Sequence, residues 1–191
     1  LEFRRVLFRS EQMEVSTIII QNILPFATSE YIELCKSSLF ALSSCLYNTG
    51  ISSNMIDIVI KTLFKILSNS EMTELQSSVL DCLEGVVLGA EEDIDIYAEQ
   101  IFPILHQAAS LPETSNTIIK SNAIEALGML LRFAPMQLKN VFDSSIQLII
   151  SSGCTNDLSL RNSVMIAIGN IIFGRFDILK NYKENIIQLV D

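Results

Sequence analysis

The chain has 191 residues, 49% of them apolar and only 18% charged, with 13 Lys and Arg against 22 Asp and Glu and a formal net charge of −9. That apolar content excludes a disordered chain, and the acidic balance argues against a nucleic-acid surface, which needs Lys and Arg to neutralise phosphates. Charged or polar residues interrupt every apolar run well short of a bilayer-spanning length, so no membrane span is expected.

The first ten residues, LEFRRVLFRS, differ from the rest: they hold three of the six arginines and no initiator Met. They resemble, over all ten positions, the translation of a short-read sequencing adapter. The expectation is that they are foreign to the protein and should be kept out of fold reasoning. A basic amphipathic arm, with Arg4, Arg5 and Arg9 among Phe3, Val6, Leu7 and Phe8, is the rival reading. Without this stretch the balance becomes 10 basic to 21 acidic residues, a charge that would attract basic partners. The chain stops at IIQLVD, in what reads as mid-helix, so residues 11–191 are expected to be a fragment of a longer protein.

From there the apolar residues recur at helical spacing; Ile56, Val59, Ile60, Leu63, Phe64 and Leu67 form one such stripe. Turn and capping residues break the pattern at NTGISSN, SNS, GAEED, SLPETSN, FAP and SGCTND. The predicted helices cover about 12–26, 30–48, 54–68, 71–89, 94–110, 116–133, 136–152, 157–173 and 177–190. Pro25 and Pro103 fall late inside two of them and should kink each one. No stretch alternates as a strand would.

Four segments repeat: LCKSSLFALSSC, LQSSVLDCLEGV, IKSNAIEALGML and LRNSVMIAIGNI. Aligned on Leu42, Leu83, Leu127 and Ile168, they are spaced by 41, 44 and 41 residues. The residue before each is small (Ala41, Cys82, Ala126, Ala167), and so, or compact, is the one four before (Ser38, Val79, Ala123, Val164). Eight before, the residue is aliphatic (Leu34, Leu75, Ile119, Leu160). On a helix these positions share one face, where small side chains let a neighbouring helix approach closely. A shift of 85 residues also lays Leu75, Gly89, Tyr97 and Ile101 on Leu160, Gly174, Tyr182 and Ile186. Each unit then reads as two antiparallel helices that cannot bury their apolar face alone and must stack. The expected fold is all-α, an α-α superhelix of about four helix pairs, with units at 11–49, 50–90, 91–134 and 135–174 and a truncated unit at 175–191.

LRNSVMIAIG, from Leu160 to Gly169, resembles the second helix of the HEAT-repeat family: aliphatic, Arg, two variable positions, small, two variable positions, then Ala-Leu-Gly. IKSNAIEALG follows it with Lys120 in place of Arg, while the first two segments depart further, with Cys35 and Gln76 there. The resemblance implies a HEAT- or armadillo-like solenoid. VVLGAEEDIDIYAEQIFPIL and IIKSNAIEALGMLLRFAP are similar, more narrowly, to the importin-β (karyopherin) branch. That resemblance implies a nuclear transport receptor of the cytoplasm and nucleus, binding protein cargo with basic segments on a concave surface. It also implies binding of the Ran GTPase by repeats that cannot be placed in these residues. The competing expectation is a HEAT scaffold subunit of a phosphatase- or ubiquitin-ligase-type complex.

The candidate binding residues follow from the helix wheel. An outward ridge on each second helix comprises Lys36, Phe40, Ser43 and Tyr47; Ser77, Asp81, Glu84 and Leu88; Ser121, Glu125, Gly128 and Arg132; and Asn162, Ile166, Gly169 and Phe173. Asp81, Glu84 and Glu125 would give it an acidic stripe for a basic segment, and Phe40 and Tyr47 would be aromatic anchors. Against this stands the reading of ordinary solvated positions with the aromatics packed on neighbours. Glu91, Glu92 and Asp93, with Asp95, read either as an acidic loop for a basic ligand or as a first helical turn whose carboxylates favour the macrodipole. His106 is the single histidine and has no partner constellation. Cys35, Cys45, Cys82 and Cys154 show no metal spacing and read as reduced structural thiols. No catalytic motif, cofactor loop or metal site is legible, so the chain is not expected to be an enzyme.

Overall fold

The computed structural model describes residues 2–69, 74–112, 116–133 and 139–190, and within these the side chains of 2–10, 92, 139–140 and 190 are left aside. Among the described residues all regular structure is helical: α1 (Glu2–Ile23), α2 (Ile32–Thr49), α3 (Ser53–Ser68), α4 (Gln76–Ala90), α5 (Asp95–Ala109), α6 (Thr117–Phe133), α7 (Lys139–Ser152), α8 (Leu158–Leu179) and α9 (Lys183–Val190). Short 3₁₀ turns occupy Leu24–Thr28, Glu91–Ile94 and Lys180–Tyr182.

Local chemistry sets the ends. Gly50 closes α2 at φ 74°, a conformation that a Cβ would penalise, and its N–H donates to Leu46 O at 3.1 Å. Asn116 Oδ1 accepts from the Ile118 and Ile119 N–H groups before α6, and Asp157 Oδ1 accepts from Ser159 and Leu160 before α8. Both are side-chain caps on otherwise orphaned donors. The expected kink at Pro25 inside the first helix is not found: α1 ends at Ile23, and Pro25 lies in the 3₁₀ turn that follows. Pro103 does sit inside α5, which continues to Ala109. Helix α1 begins at Glu2 rather than near residue 12, and α8 runs past 173 to Leu179 through a non-helical Arg175 (φ −141°, ψ 49°). The expected break at FAP and the start of the 71–89 helix fall partly outside the described residues.

The chain forms two compact units, residues 1–93 and 94–191. In the first, α1 packs on α2, α3 on α4, and the second helices α2 and α4 on each other. In the second, α5 packs on α6, α7 on α8, and α6 on α8, while α9 packs on α7. Each unit is thus a stack of antiparallel pairs with its second helices in one layer. The repeat positions form the seams: Leu42, Leu83 and Leu127 are 0% exposed and Ile168 3%. Burying one such side chain contributes about 2 kcal/mol. Cys82, Ala126, Ala167, Val79, Ala123, Val164, Leu75 and Leu160 are buried beside them. Leu34 departs from the pattern, being exposed on α2.

Residues 158–189 are long and apolar enough, by length and composition, to cross a membrane, contrary to the expectation that no stretch would be. The stretch is bent at Arg175 and interrupted by a 3₁₀ turn. Leu160, Val164, Ala167, Ile168 and Ile171 are buried along it, while Met165, Ile166, Ile172 and Phe173 are exposed, so packing against α6 and α7 covers only one face of the stretch.

Candidate partner-binding surface

Two serine–carboxylate bonds tie the second helices together. In the first unit Ser43 Oγ on α2 donates to Asp81 Oδ2 on α4 at 2.5 Å. In the second, Ser163 Oγ on α8 donates to Glu125 Oε1 on α6 at 2.5 Å. Both serines are buried and both carboxylates half-buried, so each bond is charge-assisted and shielded from water. Beside the first, the Cys82 thiol donates to Leu39 O at 3.1 Å. Its pKa is pushed well above the usual thiol range, by burial first and then by the Asp81 charge.

Close backbone approach accompanies these bonds. A Cβ on Gly128 of α6 would lie 2.5 Å from Ala167 Cα on α8. One on Gly174 would lie 2.6 Å from Arg132 O. The Arg132 guanidinium stacks over the Phe173 ring, 4.3 Å from its centre, and over Phe133 at 4.8 Å.

The expected acidic ridge is therefore only partly a surface. Glu84 is 6% exposed, which corrects its placement on an outward face. The wheel argument assumed one solvated flank, whereas α4 is enclosed on almost its whole circumference from Val79 to Val87. Asp81 and Glu125 keep partial exposure but are engaged by serines. Ser121, Gly128 and Ser43 on the same ridge are also buried. Phe40 at 73% and Tyr47 at 36% exposure do lie on the open side of α2. Near them Lys36 Nζ donates to Glu33 and Glu74, each at 3.1 Å, and these bonds, Glu74 first, raise its pKa.

Glu91 is exposed and ends α4 at φ 50°, a left-handed conformation costly for a side chain with a Cβ. Asp93 Oδ2 accepts from Ser53 Oγ at 2.6 Å. The Glu92 side chain lies outside the described residues. These acids form the 3₁₀ turn ahead of α5, which starts only at Asp95. The His106 ring packs on Phe102 with centres 5.4 Å apart. Cys35 and Cys82 are buried and Cys45 half-buried, whereas Cys154 is exposed; all four are free thiols. Among the described residues no group of three His, Cys, Asp or Glu could hold a metal ion.

The serine bonds and the glycine contacts went unnoticed in the sequence. The signal existed: Gly128 and Gly169 occupy one repeat position, as do Asp81 and Glu125.

No family model and no curated protein matches the sequence. Solved structures do match by fold. An engineered protein from a structural genomics consortium is similar at TM-score 0.62 and 17% identity, over 87% of this chain and 67% of that one. A computationally designed armadillo repeat protein for modular peptide recognition is similar at TM-score 0.56 and 15% identity, over 93% of this chain and 81% of that one. A second designed armadillo repeat protein gives 0.58 and 13%, with the same coverage. At such identities the likeness concerns the fold, and it agrees with the stacked helix pairs and the 41–44-residue period: the chain has an all-α helical-repeat fold of the solenoid class.

Proposed function

We propose that this chain is a protein-binding scaffold that acts through the surface of its second helices and performs no chemistry of its own. The observation that carries this reading is the open face of α2, where Phe40 and Tyr47 stand exposed beside an acidic chain of net charge −9. Exposed aromatics supply anchoring area at low entropic cost, and the acidity selects partners with basic segments. Peptide recognition in the designed armadillo protein of similar fold supports the same use of stacked helices.

At finer grain, the sequence resemblances to the importin-β branch support a transport-receptor role with basic cargo, in cytoplasm and nucleus. Ran would engage repeats other than these. Asp81 and Glu125 would then contribute field rather than direct contacts, because their serine bonds would have to break first. The partner's cations would instead meet Glu33, Glu91 and Asp93, which are exposed and whose bonds to Lys36 and Ser53, where they have them, lie in solvent rather than in the seam.

Fluorescence anisotropy with a labelled Lys/Arg-rich peptide and a charge-neutral peptide of equal length tests this. The basic peptide should bind and weaken as salt rises from about 50 to about 300 mM. Paired Phe40→Ala and Tyr47→Ala changes should weaken it about tenfold. Equal binding of both peptides, or indifference to salt, would sink the basic-partner reading.

A further inference from the structure

We infer that the cleft between the Leu24–Thr28 turn and α3 is a second docking site. It takes a short extended segment of a partner protein that carries aliphatic side chains followed by a carboxylate. Helix punctuation makes the cleft. Helix α1 ends at Ile23, and Pro25, which has no N–H to donate, carries the chain away in the 3₁₀ turn. That turn packs on α3, which continues to Ser68. Met55, Ile58, Thr62 and Lys65 follow one another on α3 at spacings of three, four and three residues, so they share one stripe. Both walls lie within the first unit, so the cleft exists whatever precedes or follows these residues.

The cleft changes character along its length. One part, of about 370 Å³, has apolar walls of Leu24, Pro25, Met55 and Ile58. Ile58 is 48% exposed, a large aliphatic side chain left half open to water. Thr28 and Lys65 line this part and also a second one, of about 360 Å³, that reaches Ser68 and Asn69. The helical rise from Met55 to Asn69 is about 21 Å, the length of about six extended residues. A helix of that length, about 10 Å across, would need far more room than the two parts offer.

Charge selects the other end of the occupant. Among the described side chains of the first unit the cations are Lys36, Lys61 and Lys65. Lys36 is paired with Glu33 and Glu74, and Lys61 with Asp57 at 2.7 Å. Lys65 is exposed and has no carboxylate partner among the described residues. Its ammonium stands where the apolar part meets the polar one, unmatched in a chain of net charge −9. A carboxylate on the occupant completes the pair, whereas a basic segment would face like charge. The wider acidity of the chain is screened beyond about 8 Å at physiological salt, so the local lysine decides. The site therefore has the opposite polarity to the second-helix surface.

Nuclear magnetic resonance on the isotope-labelled chain tests this, with three peptides of about eight residues. One carries two leucines followed by two glutamates. The second has lysines for the glutamates, and the third has serines for the leucines. The first should shift the amide signals of residues 24–28 and 55–69, saturating below about 1 mM. The two control peptides should bind at least about tenfold more weakly. Ile58→Asp and, separately, Lys65→Glu should each weaken the first peptide by about the same factor; both positions are exposed, and circular dichroism reports whether the fold is kept. Lys65→Glu should also bring the lysine peptide into the cleft. No saturating shift with the first peptide, equal binding of either control, or a bound peptide that ignores both variants overturns the proposal.

Discussion

The two units solve the same packing problem with different residues. In the first, α2 and α4 meet through Leu46 and Gly85, and the chain ends of the helices meet through Gly50 and Gly89. A Cβ on Gly85 would come 3.1 Å from Leu46 Cβ, and one on Gly89 3.1 Å from Gly50 Cα. In the second, α6 and α8 meet through Gly128 and Ala167, with no long side chain at the crossing. The polar tie is reversed as well: the serine lies on the earlier helix in one unit and on the later helix in the other. A solenoid seam thus requires a small residue and a satisfied hydroxyl, but leaves open which helix supplies either.

The sharpest test compares three glycines. Gly128→Ala should cost about 3 kcal/mol, because the new methyl meets backbone and Cβ of Ala167 and a helix must move. Gly85→Ala should cost about 1 kcal/mol, since the new methyl would lie 3.1 Å from Leu46 Cβ, a milder overlap than at Gly128. Gly169→Ala, in open space, should instead stabilise by about 0.5–1 kcal/mol through helix propensity. Urea unfolding measures all three, and equal costs at residues 85 and 128 would erase the difference between the seams.

Next in size are the serine bonds. Ser163→Ala and Ser43→Ala should each cost about 1.5 kcal/mol, a charged acceptor losing its donor in a partly buried site. Double-mutant cycles with Glu125→Gln and Asp81→Asn would read the coupling directly. Coupling in only one unit would mean that the two ties are not equivalent.

The smallest effect belongs to the second unit alone. Tyr182 Oη donates to Asp143 Oδ1 at 2.8 Å. Burial first, and then that carboxylate, push the phenol up to about 12 from its usual 10. The fold holds this proton more tightly than the unfolded chain does. The stabilisation is therefore fully present below about pH 10 and lost as pH rises towards 12. Thermal melts across that window should show a steeper loss for the parent chain than for Tyr182→Phe.

Periodicity located the helices, because burial on one face imposes a 3.6-residue rhythm that needs no knowledge of the partner. The 41- and 44-residue spacing located the seams for the same reason, and Leu42, Leu83, Leu127 and Ile168 are buried as the repeat requires. Cap chemistry was legible too: Gly50, Asn116 and Asp157 are local devices acting within a few residues of themselves. The wheel could not say how many flanks of a helix are covered. Glu84 was placed outward and lies buried, while Ile166, Gly169 and Phe173 hold the same ridge and stand open. Nor could it tell that Asp81 and Glu125 would be taken by serines 38 residues away. Sequence by itself determined the elements, their period and the residues of the seam, because those depend on the chain's own rhythm. Only the tertiary structure decided which ridge positions remain surface, because exposure depends on the neighbours that each helix acquires.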